Sequence, residues 1–393
     1  MARTPLTIAY CGPIASVGEP ARGGFEAANR RLIDDLRRAR LDVVELPYAP
    51  ERRPAWRKLL AYGANFAGLA VRVLLQGGRW DVFHITPLRR QFMLAELVLC
   101  QLARLRGARL VVDLRAGAIT DDLASANRLR RAALEHILHS SDLICVEGET
   151  YLQLVEGYHK DALYLPNYVA AATVGAGPAA PAGRINLVFL GRVVPEKGIE
   201  VALDCVRALT ARGHAVQLKV IGRGDEDYLA GLQAAAADLP VSWLGAVPHP
   251  EVPAQLQDGH FFVFPTRHRG EGHSNALTEA MSQGLVPLVA DNGFNRQVVG
   301  DSGIVFDMAA DGAAYADAIE DVVANGHWAR RSERARRRIL EQFTGEKLVA
   351  ELVRRYRGLV ESRKDKPGAP VAARTAAPQN QTRRSAAEAE QRQ

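Results

Sequence analysis

Cysteine is scarce in this chain. Four occur in 393 residues (Cys11, Cys100, Cys145 and Cys205), with no C-x-x-C pair and no histidines clustered beside them. That excludes a disulfide framework and a zinc site of the usual spacing, and it favours a reducing compartment. Aromatic residues amount to 6% and do not interleave with the basic ones, so the net charge of +6 does not describe a nucleic-acid-binding surface. Residues 59–75 are largely apolar but are interrupted by Arg72, a poor bilayer span. A dinucleotide fingerprint is missing too: the first strand candidate runs into Cys11-Gly12-Pro13-Ile14, not G-x-G-x-x-G, which sets nicotinamide chemistry aside. Met1 to Pro5 leads into that strand without a secretory leader, so a cytoplasmic protein is expected.

What the chain does have is apolar material for two cores, 48% of its residues, at a length that fits two domains. Residues 6–10, 41–46, 82–85, 110–114 and 143–146 carry the apolar character of buried strands. Helical stripes lie between them; Phe25, Ala28, Leu32 and Leu36 form one, opened by Gly23-Gly24. The alternation returns at 185–190, 216–221, 241–244, 261–264, 286–289 and 303–306. Strands alternating with helices predict parallel sheets covered on both faces, with ligands at the strand carboxyl ends. Gly, Ala and Pro crowd residues 175–183, a linker; 346–361 reads as a last helix. From Ser362 onward apolar bulk is almost absent, which predicts a disordered tail.

Two segments carry chemistry. In the first, Pro265 to Met281, Glu271 lies in a Gly-flanked loop after a strand, and Glu279 lies in the second turn of the helix that follows. Ser274 is placed to cap that helix and Gly284 to end it. Unpaired N–H groups near Asn275, Ala276 and Leu277 make an anion site with two carboxylates beside it, suited to phosphate and to sugar hydroxyls. In the second, the 184–190 strand runs into Gly191-Arg192-Val-Val-Pro-Glu196-Lys197-Gly198, where two cations five apart can converge on a diphosphate.

Together these segments resemble the retaining nucleotide-sugar glycosyltransferases of family 4 (glycosyl transferases group 1), which have the α/β GT-B fold: two Rossmann-like domains facing across a cleft. The resemblance implies an N-terminal acceptor domain over 1–170, a linker at 171–183, a donor domain over 184–342, a helix at 343–361 returning to the first domain, and a tail at 362–393. It implies that Arg192 and Lys197 neutralise the departing diphosphate, that Glu271 holds the donor sugar, and that Glu279 accepts from the nucleotide ribose. Gly24, Gly191, Gly222, Gly272, His273, Ser274, Asn275 and Ala276 are then donor-binding positions. No cofactor and no metal is implied; the substrate is a nucleotide diphosphate sugar, UDP- or GDP-linked.

The N-terminal half departs from the family pattern. Family members often carry His-x-His where this chain has His84-Ile-Thr86, so His84 is a catalytic candidate and Thr86 an acceptor-side one. Asp113 and Arg115 end a strand and are acceptor-side candidates, or simply a pair. The adjacent acids Asp34-Asp35 and Asp121-Asp122 read as helical residues, not Mn²⁺ ligands. Arg52, Arg53, Trp56, Arg57 and Lys58 precede the apolar 59–75 stretch, which fits either a core helix or one lying on an anionic membrane as a peripheral protein does. The expected partners are therefore a nucleotide-sugar donor, a glycan or lipid-linked acceptor and that membrane surface, with no nucleic acid. The alternatives are a GT-B sugar-nucleotide epimerase and a non-catalytic GT-B binding protein.

Overall fold

The computed structural model describes residues 6–16, 23–48, 55–115, 117 and 119–364. Arg52 and Arg53 lie outside the described residues, as does the expected tail beyond 364.

Two six-stranded parallel sheets organise the chain. The first contains β1 (Thr7–Gly12), β2 (Asp42–Pro47), β3 (Val82–Ile85), β4 (Arg109–Leu114), β5 (Leu143–Val146) and β6 (Ala162–Tyr164), in the order β2-β1-β3-β4-β5-β6. The second contains β7 (Arg184–Leu190), β8 (Ala215–Ile221), β9 (Val241–Gly245), β10 (Phe261–Phe264), β11 (Val286–Ala290) and β12 (Ile304–Phe306), in the order β12-β11-β10-β7-β8-β9. Strand β6 was not expected from sequence; three residues at a sheet edge are too few to show a period.

Side-chain alternation assigns the faces. Along β1, Ile8 and Tyr10 pack under the helices Gly24–Arg38 and Gly345–Lys364. Ala9 and Cys11 pack on the other side, with Phe66, Val73, Leu99 and Leu134 of three further helices. Leu32, Ile33, Leu36, Leu352 and Tyr356 are wholly buried, each such side chain contributing about 1.5–3 kcal/mol. The second sheet is sandwiched likewise: Cys205, Leu209, Tyr315 and Ile319 cover one face, and Leu277, Met281, Ala335 and Ile339 the other.

The last helix returns to the first sheet and runs Gly345–Lys364, past its expected end at 361. Arg109 holds it there, donating from Nε to the Leu359 carbonyl at 2.9 Å and from Nη2 to Ser362 Oγ at 3.4 Å. The chain's two passages between the sheets lie side by side. Val169 and Thr344 form a parallel bridge, with Val169 N–H to Phe343 O at 3.1 Å and Gly345 N–H to Val169 O at 2.9 Å.

In each sheet the strand order reverses once, between β1 and β3 and between β7 and β10. In open parallel sheets that reversal opens a crevice at the carboxyl ends, where ligands bind. The Gly191–Gly198 and Pro265–Asn275 loops leave the second sheet at its reversal.

Candidate functional site

The helix Asn275–Ser282 begins where the sequence places it. Ser274 adopts extended backbone and its hydroxyl accepts from the Leu277 N–H at 3.4 Å. The first N–H groups, at Asn275 and Ala276, have no carbonyl partner within the helix. Glu279, one turn in, is nearly buried. At the other end Gly284 takes φ +84, the left-handed turn that ends a helix.

Lys197 and Glu271 meet across the reversal of the second sheet. Lys197 Nζ lies 2.5 Å from Glu271 Oε2, which also accepts from Thr266 Oγ1 at 2.7 Å. Both side chains are largely buried, so each charge depends on the other. Arg192 is exposed at the end of β7. It shares a field with Lys197: His268 is held below its ordinary pKa by burial first, then by Lys197, with Arg192 adding to it. Gly198, at φ +74, lets this turn close on Pro265; a Cβ there would stand 2.3 Å from the Pro265 carbonyl oxygen. Gly222 brings the β8 loop onto the β7 loop, since a Cβ would stand 1.7 Å from Gly191 O.

The first half of the chain reaches the same place. Asn275 Nδ2 donates to Gly24 O at 3.0 Å. Arg31, on the helix Gly24–Arg38, bonds Tyr168 O, Asn275 Oδ1 (3.3 Å) and Glu279 Oε1 (3.3 Å), and it lies 2.9 Å from His249 Nε2. His249 is also 3.1 Å from Glu279. The Glu279 carboxylate is thus held by a cation from the opposite half of the chain. Sequence reading missed Arg31 because it belongs to no local motif.

Glycines seat the Glu271–Gly272 turn. A Cβ on Gly117 would stand 1.8 Å from Glu271 O, and one on Gly272 would stand 1.8 Å from Glu147 Oε1. His273, beyond them, is buried against Phe343, with its Nε2 2.8 Å from Thr278 Oγ1 and its carbonyl accepting from Asn167 Nδ2 at 2.5 Å. Burial lowers its pKa to about 3, so the ring is neutral. Glu147, just past β5, was also missed; burial outweighs Arg115 and pushes its carboxyl up to about 8. A Glu-Gly pair directly after a strand, on the ligand-binding edge of the sheet, is the signal that was available.

His84 lies on β3. It is wholly buried on the face under the returning helix, with Nδ1 2.6 Å from Tyr356 Oη and Nε2 3.3 Å from Asp113 Oδ2. Both ring nitrogens are therefore engaged within the core. Thr86 is equally buried and donates to Tyr10 Oη at 3.1 Å. Asp113 and Arg115 do form a pair, Nε to Oδ2 at 2.7 Å, at the end of β4. Burial works to raise the Asp113 pKa, but Arg115 and His84 outweigh it and the carboxylate stays ionised. Arg115 also donates to Asn167 Oδ1 at 3.0 Å, which connects the pair to the His273 carbonyl.

Asp121 and Asp122 open the helix Ile119–Leu123 and pair with Arg269 and Arg89; Asp35 accepts from Tyr168 Oη at 2.7 Å. Among the described residues no group of three or more His, Cys, Asp or Glu is disposed to hold a metal ion, and no helix is long and apolar enough to cross a membrane.

Comparison with known proteins places this architecture. Residues 184–325 match the family model described as Glycosyl transferases group 1. The chain is 32% identical to a phosphatidyl-myo-inositol mannosyltransferase of Mycolicibacterium smegmatis over 47% of its own length and 50% of the relative. It spans about half the length of the curated relatives it matches. Among solved structures, sucrose-phosphate synthase of Thermosynechococcus elongatus superposes with a TM-score of 0.69 at 19% identity, covering 91% of this chain and all of that one (100%). HepE of Anabaena in complex with UDP gives a TM-score of 0.67 at 14% identity, covering 90% and 100%. The fold is GT-B.

Proposed function

We propose that this protein is a retaining, metal-independent glycosyltransferase that moves a hexosyl unit from a nucleotide diphosphate sugar to an acceptor hydroxyl. The observation that carries it is the Lys197–Glu271 pair at 2.5 Å beside the start of the Asn275 helix, at the carboxyl ends where the second sheet reverses. A diphosphate placed there meets Arg192, Lys197 and the helix N–H groups, which stabilise the leaving group without a metal. Glu279 accepts from ribose hydroxyls. Glu271 orients the sugar, and the acceptor hydroxyl attacks on the leaving-group face, its proton passing to the departing phosphate. Support comes from the HepE complex with UDP and from the mannosyltransferase relative. The test is calorimetric titration of UDP, GDP, ADP and dTDP into the wild type and Glu279→Ala without metal. One nucleotide should bind, and the substitution should weaken it roughly tenfold, about 1.4 kcal/mol. A folded wild type that binds none of the four would refute the transferase reading.

The acceptor in this reading is a glycan or lipid-linked molecule of bacterial surface assembly, met at an anionic membrane. The helices Ala55–Gln76 and Met93–Leu105 leave Leu60, Val71, Leu75, Leu94, Val98 and Leu105 exposed, up to 80% for Leu105. A basic protein with one apolar helical face suits anionic lipid. Sedimentation with phosphatidylglycerol vesicles should carry the protein down. The double substitution Leu75→Glu, Leu105→Glu should leave it in the supernatant, as should pure phosphatidylcholine vesicles.

A further inference from the structure

Unmet hydrogen-bonding capacity gathers where β4 and β5 abut the Gly272–His273 turn. Four buried atoms there lack a well-aligned hydrogen-bond partner, Asp113 Oδ1, Arg115 Nη2, Glu147 Oε1 and His273 Nδ1, although the Glu147 carboxyl and the His273 ring each interact with the other's backbone. A buried polar atom left unpaired costs on the order of 1–3 kcal/mol, and folded proteins rarely leave several together. These four come from three separate segments, and Asn167 joins two of them by bonding both Arg115 and the His273 carbonyl.

Their chemistry selects a ligand. Arg115 can only donate, and ionised Asp113 can only accept. Glu147 is a neutral acid below about pH 8 and His273 is a neutral ring, so each can donate or accept. An anionic group would face the Asp113 carboxylate, and an ammonium would face the Arg115 guanidinium. Neighbouring hydroxyls, each donating one hydrogen bond and accepting others, satisfy the whole set. The position fits as well: Glu147 Oε1 lies against Gly272, the residue after Glu271.

We propose that Glu147, with Arg115 and Asp113 beside it, is a specificity-determining residue that reads hydroxyls of the transferred sugar from the first-sheet side of the cleft. This rests on the glycosyltransferase reading above and adds a sugar contact from the opposite half of the molecule. UDP, UDP-glucose, UDP-galactose, GDP and GDP-mannose should be titrated into the wild type, Glu147→Ala and Glu147→Gln, with circular dichroism melts reporting folding. The wild type should prefer one sugar nucleotide over its bare nucleotide. Glu147→Ala should lose roughly tenfold or more of that preference, and Glu147→Gln, neutral and of the same size, should keep it within about threefold. Should Glu147→Ala fail to fold, Glu147→Asp, one methylene shorter, replaces it with the same expected loss. Equal weakening of nucleotide and sugar nucleotide would assign Glu147 to packing between the halves and overturn the proposal. So would an unchanged preference, or a wild type that has none. A wild type that binds no nucleotide at all removes the transferase reading and this one with it.

Discussion

Lys197 and Glu271 are 74 positions apart, yet each was legible in the sequence, because each sits in a short segment whose glycines, strand and helix start define its place. Arg31 and Glu147 were not legible, because their partners come from distant elements; Arg31 meets Glu279 across 248 positions of chain. The turn between these residues is held by contact, and that is testable with two glycines. A methyl at Gly272 would fall 1.8 Å from Glu147 Oε1, whereas one at Gly63, on the helix Ala55–Gln76, meets nothing within 4 Å. Gly272→Ala should lower the thermal midpoint by several degrees and impair sugar-nucleotide binding. Gly63→Ala should stabilise by about 0.5–1 kcal/mol, the helix preference for alanine. Equal melting behaviour in the two variants would show that the turn is not tightly seated.

Eleven of the strands in the two sheets correspond to segments that the sequence marked, to within a residue or two at their ends. Apolar runs of that length between helical stripes are hard to misplace. What the pattern could not show is how a charged residue inside an apolar element is accommodated. Glu96, on the helix Met93–Leu105, is wholly buried and accepts from the Leu88 N–H at 2.6 Å and the Arg89 N–H at 3.0 Å, fixing the turn after β3. Burial, against those two bonds, raises its pKa from 4.5 to about 7. The folded protein therefore holds this proton more tightly than the unfolded chain. The contribution to stability is fully present below pH 4.5 and is lost as pH rises through about 7. Urea unfolding at pH 5 and pH 8 should show the wild type losing a few kcal/mol relative to Glu96→Gln across that interval. Parallel pH dependence in the two proteins would mean that Glu96 is ionised when folded.

At the scale of the whole molecule, the two-sheet plan was legible and the manner of its closure was not. Side-chain periods report which face of a strand is covered, not which distant helix covers it. The returning helix is fastened to the first sheet by the 2.6 Å bond between Tyr356 Oη and His84 Nδ1. Tyr356→Phe should strand that buried nitrogen and cost about 1–3 kcal/mol in urea unfolding. It should also make residues 171–183 more open to protease as the halves loosen; an unaltered cleavage rate would separate the helix's anchoring from the link between halves. The bridge between Val169 and Thr344 carries a further consequence. Because the chain enters and leaves its second half at one spot, that half can be exchanged as a cassette. Recombination at two neighbouring joints would transplant the Glu271 loop, the Lys197 turn and the Asn275 helix intact onto another chain of this shape. Matching then falls to the residues that reach across, Arg31, Glu147, Asn167 and Asp121 among them, and a graft of this kind succeeds or fails on whether they find their counterparts.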